Sequence, residues 1–216
     1  MLFITFEGPE GAGKTTILKM IKEQLKQDGF DVLVTREPGG SEISEQIRQV
    51  ILNKDNTLMD PWTEVLLYVA ARRQHLVEKI LPEKKNNKII ISDRFSDSTL
   101  AYQGYARNLD INKINVIQTM IFENYQPDLT VLFDIKPEIG LNRILSRKGE
   151  HLNRLDEEKI EFHHKVYNGY KKIAAKNPKR IHIIDASLKE NIVFNSAYEL
   201  IKDLIEEKGF KPKIYK

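Results

Sequence analysis

Short apolar runs alternate along the chain with longer stretches in which apolar residues recur at helical spacing. The runs are rich in β-branched or aromatic residues and too short for helices, so we predict strands at residues 2–6, 32–35, 88–92, 129–133 and 181–184. Between them, helical stripes of apolar residues start near Ile17, Val65 and Val193. Strands that alternate with helices form parallel sheets covered on both faces, so the pattern predicts an α/β fold.

Composition narrows the class of protein. The chain has 216 residues, 41% hydrophobic and 30% charged, with no linker or repeat, which predicts one domain spanning residues 1–216. The net charge of +3 is too small to indicate a nucleic-acid partner. The absence of cysteine excludes disulfides and thiolate chemistry. Because no apolar run approaches the ~18 residues of a membrane span and no signal peptide is evident, we expect a cytoplasmic enzyme.

The segment between the first predicted strand and the first helix matches the phosphate-binding pattern G-x-x-x-x-G-K-[ST]. In such a loop, backbone N–H groups and the positive end of the following helix, expected from about Thr16, surround the phosphates. Lys14 is expected to reach the β- and γ-phosphates, and the Thr15 hydroxyl to hold Mg²⁺. The predicted triphosphate site therefore comprises Gly8, Glu10, Gly11, Ala12, Gly13, Lys14, Thr15 and Thr16.

Two arginines follow predicted strands at the edge of the sheet where the phosphate loop must lie. Arg36 follows the second strand and Arg94 the third. Arginine binds phosphate oxygens in a bidentate fork, and cations between two phosphates lower the barrier to transfer. The alternative is that Arg36 and Arg94 form surface ion pairs with Glu37 and Asp93. Their position next to the loop favours an acceptor that itself carries a phosphate.

Four sequence blocks, residues 6–16, 36–40, 71–73 and 93–104, resemble those of thymidylate kinase in order and spacing. The resemblance spans about residues 2–205. It implies a three-layer α/β/α P-loop nucleoside monophosphate kinase fold, with a five-stranded parallel sheet and a short lid at about residues 146–156. It also implies transfer of a phosphoryl group from ATP to dTMP with Mg²⁺, in dTTP synthesis, and it suggests a homodimer.

The same resemblance implies an acceptor site in which each residue has a role. Arg36 and Arg94 are expected to bind the dTMP phosphate, and Arg72 and Gln103 the thymine edge, with Tyr68 stacked on the base. Tyr68 stands where the family usually has phenylalanine. The full set of expected substrate-binding residues is Glu10, Arg36, Glu37, Tyr68, Arg72, Arg94, Ser98, Tyr102 and Gln103.

Several of these assignments have alternatives. Tyr68 and Arg72 are four residues apart and therefore share one helix face, which supports a pair facing the ligand, but Tyr68 is also compatible with a core position. Tyr102 is expected to crowd the sugar C2′ and disfavour ribonucleotides. Glu10 either faces the acceptor through water or Mg²⁺ or is purely structural. His163 and His164 are expected on a helix surface, not in a metal site.

The acceptor phosphate is mostly dianionic at neutral pH and needs no general base. We therefore expect Asp93 to orient Arg94 or a Mg²⁺-bound water, which makes Thr15 and Asp93 the metal-binding residues. Catalysis then consists of positioning and charge neutralisation by Lys14, Asp93, Arg94 and a further cation.

The additional catalytic cation has to come from outside the phosphate loop, because residues 9–12 contain no arginine. We predict that Arg147 or Arg154, in the basic lid segment, closes over the phosphates, with Lys148 a weaker candidate. The alternative is a solvated basic turn. By family analogy, Arg143 stacks on adenine.

Two other functions remain open from the residues alone. One is a different small P-loop kinase, acting on a nucleoside or another monophosphate. The other is a nucleotide-dependent switch without an acceptor, which the paired Arg72 and Gln103 argue against because a switch has no base to read.

Overall fold

The computed structural model describes residues 1–122, 125–146 and 152–212 and contains one parallel sheet with strand order β2-β3-β1-β4-β5. Every predicted strand is present, with bounds within one residue of those expected, and the predicted α/β fold is confirmed. The strands are β1 (Leu2–Glu7), β2 (Val32–Arg36), β3 (Ile89–Asp93), β4 (Leu129–Asp134) and β5 (Ile181–Asp185).

Helices cover both faces of the sheet. π-Helical turns follow α3 and α4, at Leu76–Ile80 and Leu100–Ala106, and a 3-10 turn follows at Leu81–Lys85. The helices are α1 (Lys14–Gln27), α2 (Glu42–Leu52), α3 (Pro61–His75), α4 (Ser96–Thr99), α5 (Ile111–Phe122), α6 (Pro137–Leu145), α7 (Ile160–Lys176) and α8 (Glu190–Glu207).

The alternation of side chains along each strand divides the core into two layers. Ile4 and Phe6 of β1 pack with α1 and α8 on one face. Phe3, from the same strand, packs on the opposite face with residues of α3 and α5. The residues of α7 and of the π-helical turn after α4 complete that second layer. The result is the three-layer α/β/α arrangement.

One apolar stripe is only partly buried. Val65 and Val69 of α3 lie in the core, but Leu66 and Val77, which belong to the same predicted stripe, are 55% and 44% exposed. The stripe is wider than the face that the sheet can cover, so part of it stays exposed at the protein surface. Within the part of the chain that the structure describes, no helix combines the length and apolarity of a membrane span.

The parallel arrangement brings the carboxyl ends of all the strands to one edge. In the strand register, Phe6 of β1 and Arg36 of β2 both lie opposite Asp93 of β3. The loop after β1, Arg36 and Asp93 therefore meet at one point, where open α/β sheets bind ligands.

Candidate active site

The loop after β1 is shaped by glycines that no other residue could replace. Gly8 and Gly11 have φ angles of 141° and 69°. A Cβ atom at Gly8 would lie 2.6 Å from the Phe133 carbonyl oxygen, and one at Gly11 2.0 Å from that of Gly140. The glycines therefore allow β4 and α6 to pack directly against the loop. Helix α1 begins at Lys14, two residues earlier than expected.

Lys14 lies inside this loop. Its Nζ donates hydrogen bonds to the carbonyl oxygens of Gly8, at 2.9 Å, and Pro9, at 2.8 Å. Burial and, to a smaller extent, the neighbouring Arg94 lower the pKa of Lys14 to about 8, although Asp93 opposes the change. A bound phosphate would stabilise the charged ammonium, so the position suits a triphosphate.

A hydroxyl and a carboxylate meet beside the lysine. Thr15 Oγ1 donates a hydrogen bond to Asp93 Oδ2 at 2.9 Å. Oxygen atoms of this kind are what Mg²⁺ prefers, and Mg²⁺ takes its other ligands from phosphates and water. Outside residues 123–124, 147–151 and 213–216, no cluster of three or more metal-binding side chains offers a competing site.

A cavity of about 560 Å³ opens in front of the loop. Its walls include every residue that we predicted to bind the acceptor, together with Asp93 and residues 11–16 of the loop. The acceptor-side residues come from the loop after β1, the end of β2, α3, and the segment that follows β3. The fold thus brings predicted donor and acceptor residues into one space, although their individual roles stay predictions.

Arg94 is the most constrained of these residues. Its guanidinium donates to Glu10 Oε1 at 3.0 Å and to the hydroxyl oxygens of Tyr170 at 3.0 Å and Ser98 at 3.2 Å. Its backbone φ is 75°, in the left-handed region that residues other than glycine rarely adopt. Such strain persists where the surrounding contacts impose it, commonly at functional sites.

The ion pairs that we considered as an alternative have different partners. Arg94 pairs with Glu10, not Asp93, and Arg36 pairs with Glu45 at 2.9 Å, not Glu37. Arg94 thus faces the phosphate loop, while Arg36, half exposed, borders the cavity.

Sequence reasoning missed Arg48. It lies in α2, lines the cavity, and donates to the Pro38 carbonyl oxygen at 2.8 Å. Burial lowers the pKa of Arg48, and the nearby Arg36 lowers it further. No motif marks Arg48, because only the return of α2 toward β2 brings it beside Arg36. The three neighbouring positive charges of Arg36, Arg48 and Arg94 favour the binding of an anion.

Arg72 is buried in a fixed position. Nε donates to Glu37 Oε2 at 2.5 Å, Nη1 to Thr99 Oγ1 and Gln118 Oε1, each at 3.0 Å, and Nη2 to the Phe95 carbonyl oxygen at 2.9 Å. These bonds orient the guanidinium where it lines the cavity, so its predicted contact with a base requires no rearrangement of its neighbours.

Glu7 and Tyr170 are two further residues that sequence reasoning did not assign. The Glu7 carboxylate accepts hydrogen bonds from the Phe95 N–H at 2.7 Å, Ser98 Oγ at 2.6 Å and the Tyr170 hydroxyl at 2.8 Å. Ser98 and Tyr170 in turn contact Arg94. Glu7 thus holds both the backbone after Arg94 and the groups that orient its guanidinium.

Glu7 makes protein stability depend on pH. Burial raises the pKa of Glu7 from 4.5 to about 7, with Asp97 adding to the increase. The folded protein therefore binds a proton more tightly than the unfolded chain, and this contribution to stability is lost as pH rises from about 4.5 to about 7. In Glu7→Gln, which resembles the neutral form, we expect this loss, on the order of 3 kcal/mol, to disappear.

Urea unfolding of both proteins at about pH 5 and about pH 8 measures this difference. Parallel pH dependence in wild type and Glu7→Gln would show that Glu7 titrates normally.

The structure describes only one of the two lid arginines that we predicted to be catalytic. Arg147 lies outside the described residues. Arg154 donates to the Ile51 carbonyl oxygen at 3.0 Å and to Glu64 Oε2 at 2.5 Å, and it is not among the residues that line the cavity. In this conformation Arg154 is a partner of Glu64, and its contact with the phosphates stays a prediction.

The structure is compatible with the position predicted for Arg143 but not with the one predicted for His163. Arg143 Nη1 donates to the Ala186 carbonyl oxygen at 3.0 Å and lies 3.5 Å from that of Gly11, at the outer side of the phosphate loop. This place is compatible with the predicted adenine contact. The expectation that His163 is on a helix surface is wrong: it is buried, with Nδ1 3.9 Å from Glu10 Oε2.

These features place the protein among the P-loop kinases that act on nucleoside monophosphates. The glycine loop after β1, the Thr15–Asp93 pair and the arginine-lined cavity all lie at the same edge of the sheet. Comparisons with a family model, with relatives and with a solved structure specify the family. A family model described as thymidylate kinase matches residues 6–197. The chain is 53% identical over 206 residues to the thymidylate kinase of Bacillus velezensis, covering 95% of this chain and 97% of that protein. It is 52% identical over 200 residues to that of Clostridium novyi, covering 93% and 98%.

The crystal structure of thymidylate kinase from Ehrlichia chaffeensis matches with a TM-score of 0.74 and 32% identity, covering 93% of this chain and 98% of that one. The chain belongs to the thymidylate kinase family. Its reaction is the transfer of a phosphoryl group from ATP to dTMP, giving ADP and dTDP, in dTTP synthesis. Both the predicted fold and the predicted activity are thereby confirmed.

Proposed function

We propose that Arg36, Arg48 and Arg94 hold the dTMP phosphate against the γ-phosphate of ATP, which is bound by the phosphate loop and Lys14. The observation that carries this proposal is that the arginines and the loop line one cavity. Two phosphates held together repel, and cations between them lower that cost. The acceptor phosphate is already dianionic, so the reaction needs alignment and charge neutralisation and no base.

Mg²⁺ belongs to this proposal, with the Thr15 hydroxyl and Asp93 as the protein groups that would hold it. Their oxygens are 2.9 Å apart, so both could contact the same ion. Bound Mg²⁺ would neutralise charge on the transferred phosphoryl group. We expect activity to disappear with excess EDTA and to return when Mg²⁺ is added.

For the nucleoside part, we assign the thymine edge to Arg72 and Gln103 and the stacking face to Tyr68. All three line the cavity. Tyr102 donates a hydrogen bond from its hydroxyl to Glu10 at 2.6 Å, and we assign this pair to the sugar between base and phosphate. The Tyr102 ring then opposes a ribose 2′-hydroxyl.

Coupled measurement of ADP release with dTMP, dUMP, dGMP and thymidine tests the acceptor assignment. We expect dTMP to be the best acceptor and thymidine to be nearly inactive, because thymidine leaves the arginines without an anion. High activity with thymidine and little with dTMP would contradict the arginine assignment. ATP hydrolysis that is insensitive to dTMP would indicate a switch without an acceptor.

We further propose that the enzyme is a cytoplasmic homodimer whose lid comprises about residues 146–156. The dimer is supported by exposed apolar residues on α3 and α5: Leu66, at 55% exposure, Val116, at 67%, and Met120, at 70%. Leu66 and Ala70 are four residues apart, as are Val116 and Met120, so each pair forms a stripe on its helix. Such apolar surface in a folded protein marks an interaction site.

A charge in this surface should dissociate the dimer. We expect wild type to sediment as a dimer and Leu66→Glu as a monomer, because an unpaired buried carboxylate costs several kcal/mol in an interface. Ile192→Glu is the matched control: Ile192 is 43% exposed on α8, across the sheet, and should leave the sedimentation coefficient unchanged. A monomeric wild type would contradict the proposal.

A further inference from the structure

Glu64 lies behind the base-binding end of the cavity and contacts Gln103. Glu64 is on α3 and is 1% exposed. Gln103 Nε2 donates a hydrogen bond to Glu64 Oε1 at 2.7 Å. An ionised carboxylate can only accept, so the NH₂ group of Gln103 must face Glu64 and its side-chain oxygen must point elsewhere.

Other contacts keep Glu64 ionised. Arg154 Nη2 lies 2.5 Å from Glu64 Oε2, and Arg107 Nη2 lies 3.4 Å from the same oxygen. Burial would raise the pKa of Glu64, but Arg107, Gln103 and Arg154 outweigh it, and the pKa is lowered. At neutral pH, Glu64 is therefore a permanent acceptor for Gln103.

The oxygen of the Gln103 amide remains available to a ligand. Gln103 lines the cavity, and no residue in the described ranges donates a hydrogen bond to its Oε1. An amide whose NH₂ group is held from behind presents an acceptor to the cavity. A free amide could turn over and present either group.

We propose that Glu64 is a specificity-determining residue, which fixes the amide of Gln103 so that only bases with a hydrogen on N3 are accepted. The inference rests on the proposed contact of Gln103 with the base. Thymine and uracil carry N3–H, which donates to the Gln103 oxygen. Cytosine has a lone pair at N3, which faces that oxygen without a hydrogen between them. A site with a fixed polar partner rejects such a mismatch strongly.

Glu64→Gln tests this. Glutamine at position 64 can donate as well as accept, so the Gln103 amide can turn over and offer its NH₂ group to cytosine. We expect the ratio of kcat/KM for dTMP to kcat/KM for dCMP to fall by roughly tenfold or more. The ratio for dTMP and dUMP should stay within about twofold of wild type, because both bases carry N3–H. An unchanged dTMP-to-dCMP ratio in folded Glu64→Gln would overturn the inference.

Glu158→Gln is the matched control. Glu158 Oε1 lies 2.6 Å from Arg107 Nη2. Like Glu64, Glu158 pairs with Arg107. Removing this carboxylate weakens the same ion-pair network without reaching the amide of Gln103, so the dTMP-to-dCMP ratio should remain that of wild type. A ratio lowered as much as in Glu64→Gln would show that the network as a whole, and not Glu64, sets the specificity.

Glu64→Gln leaves Arg107 without one of its carboxylate partners and could fail to fold. The double variant Glu64→Gln/Arg107→Gln removes both members of that pair, which is less costly than leaving one unpaired. It is compared with Arg107→Gln alone, which keeps the carboxylate and should keep the wild-type ratio. Equal ratios in these two variants would overturn the inference. A wild-type enzyme without preference for dTMP over dCMP would contradict the base contact of Gln103 itself.

Discussion

Arg94→Ala is expected to lower kcat/KM for dTMP by about a thousandfold or more, because it removes the cation that we propose to lie between the donor and acceptor phosphates. Contacts with Glu10, Ser98 and Tyr170 hold the Arg94 guanidinium in place beside Lys14. Steady-state kinetics with dTMP varied at saturating ATP measure the effect. A loss smaller than about tenfold would contradict the role proposed for Arg94.

Arg94→Gly separates chemistry from backbone strain. Glycine tolerates the φ of 75° that alanine does not, so Arg94→Gly should unfold at a higher temperature than Arg94→Ala. Both variants lack the guanidinium and should be equally inactive. If Arg94→Gly recovered activity, the loss in Arg94→Ala would have come from backbone distortion.

Arg147→Ala or Arg154→Ala is expected to reduce kcat by about 10³–10⁵, the range for a cation that stabilises the transferring phosphoryl group. The phosphate loop supplies lysine but no arginine at residues 9–12, so another segment has to provide this charge. Single-turnover and steady-state rates of each variant, measured beside those of Lys148→Ala as the weaker candidate, identify the residue. Near-wild-type kcat in both arginine variants would contradict a catalytic lid.

Because Arg154 contacts Glu64, the unfolding temperature of Arg154→Ala gives a second test of its role. If Arg154 only anchors the segment after the lid, Arg154→Ala should lower the unfolding temperature and leave kcat intact, since Glu64 would lose a partner at 2.5 Å. If Arg154 moves to the phosphates during turnover, kcat should fall more than stability does.

Local patterns in the sequence account for much of the fold and for the donor site. The strand bounds follow from short β-branched runs, and the phosphate loop follows from glycines whose conformations are set by the residue itself. The acceptor residues were predicted from short blocks that resemble a family, and these residues line one cavity, while their roles stay predictions. The apolar stripe of α3 does not by itself show which of its residues are core, since Val65 is buried and Leu66 is half exposed.

The sequence alone determined the order of strands and helices, the phosphate loop, and an arginine at the end of each of two neighbouring strands. These features depend on residues close together in the chain. Only the tertiary structure decided that Arg48 joins Arg36, that Tyr170 and Glu7 orient Arg94, and that Glu64 holds Gln103. These contacts join segments up to 163 residues apart, as between Glu7 and Tyr170. Their partners are chosen by the packing of helices on the sheet, which no local pattern records.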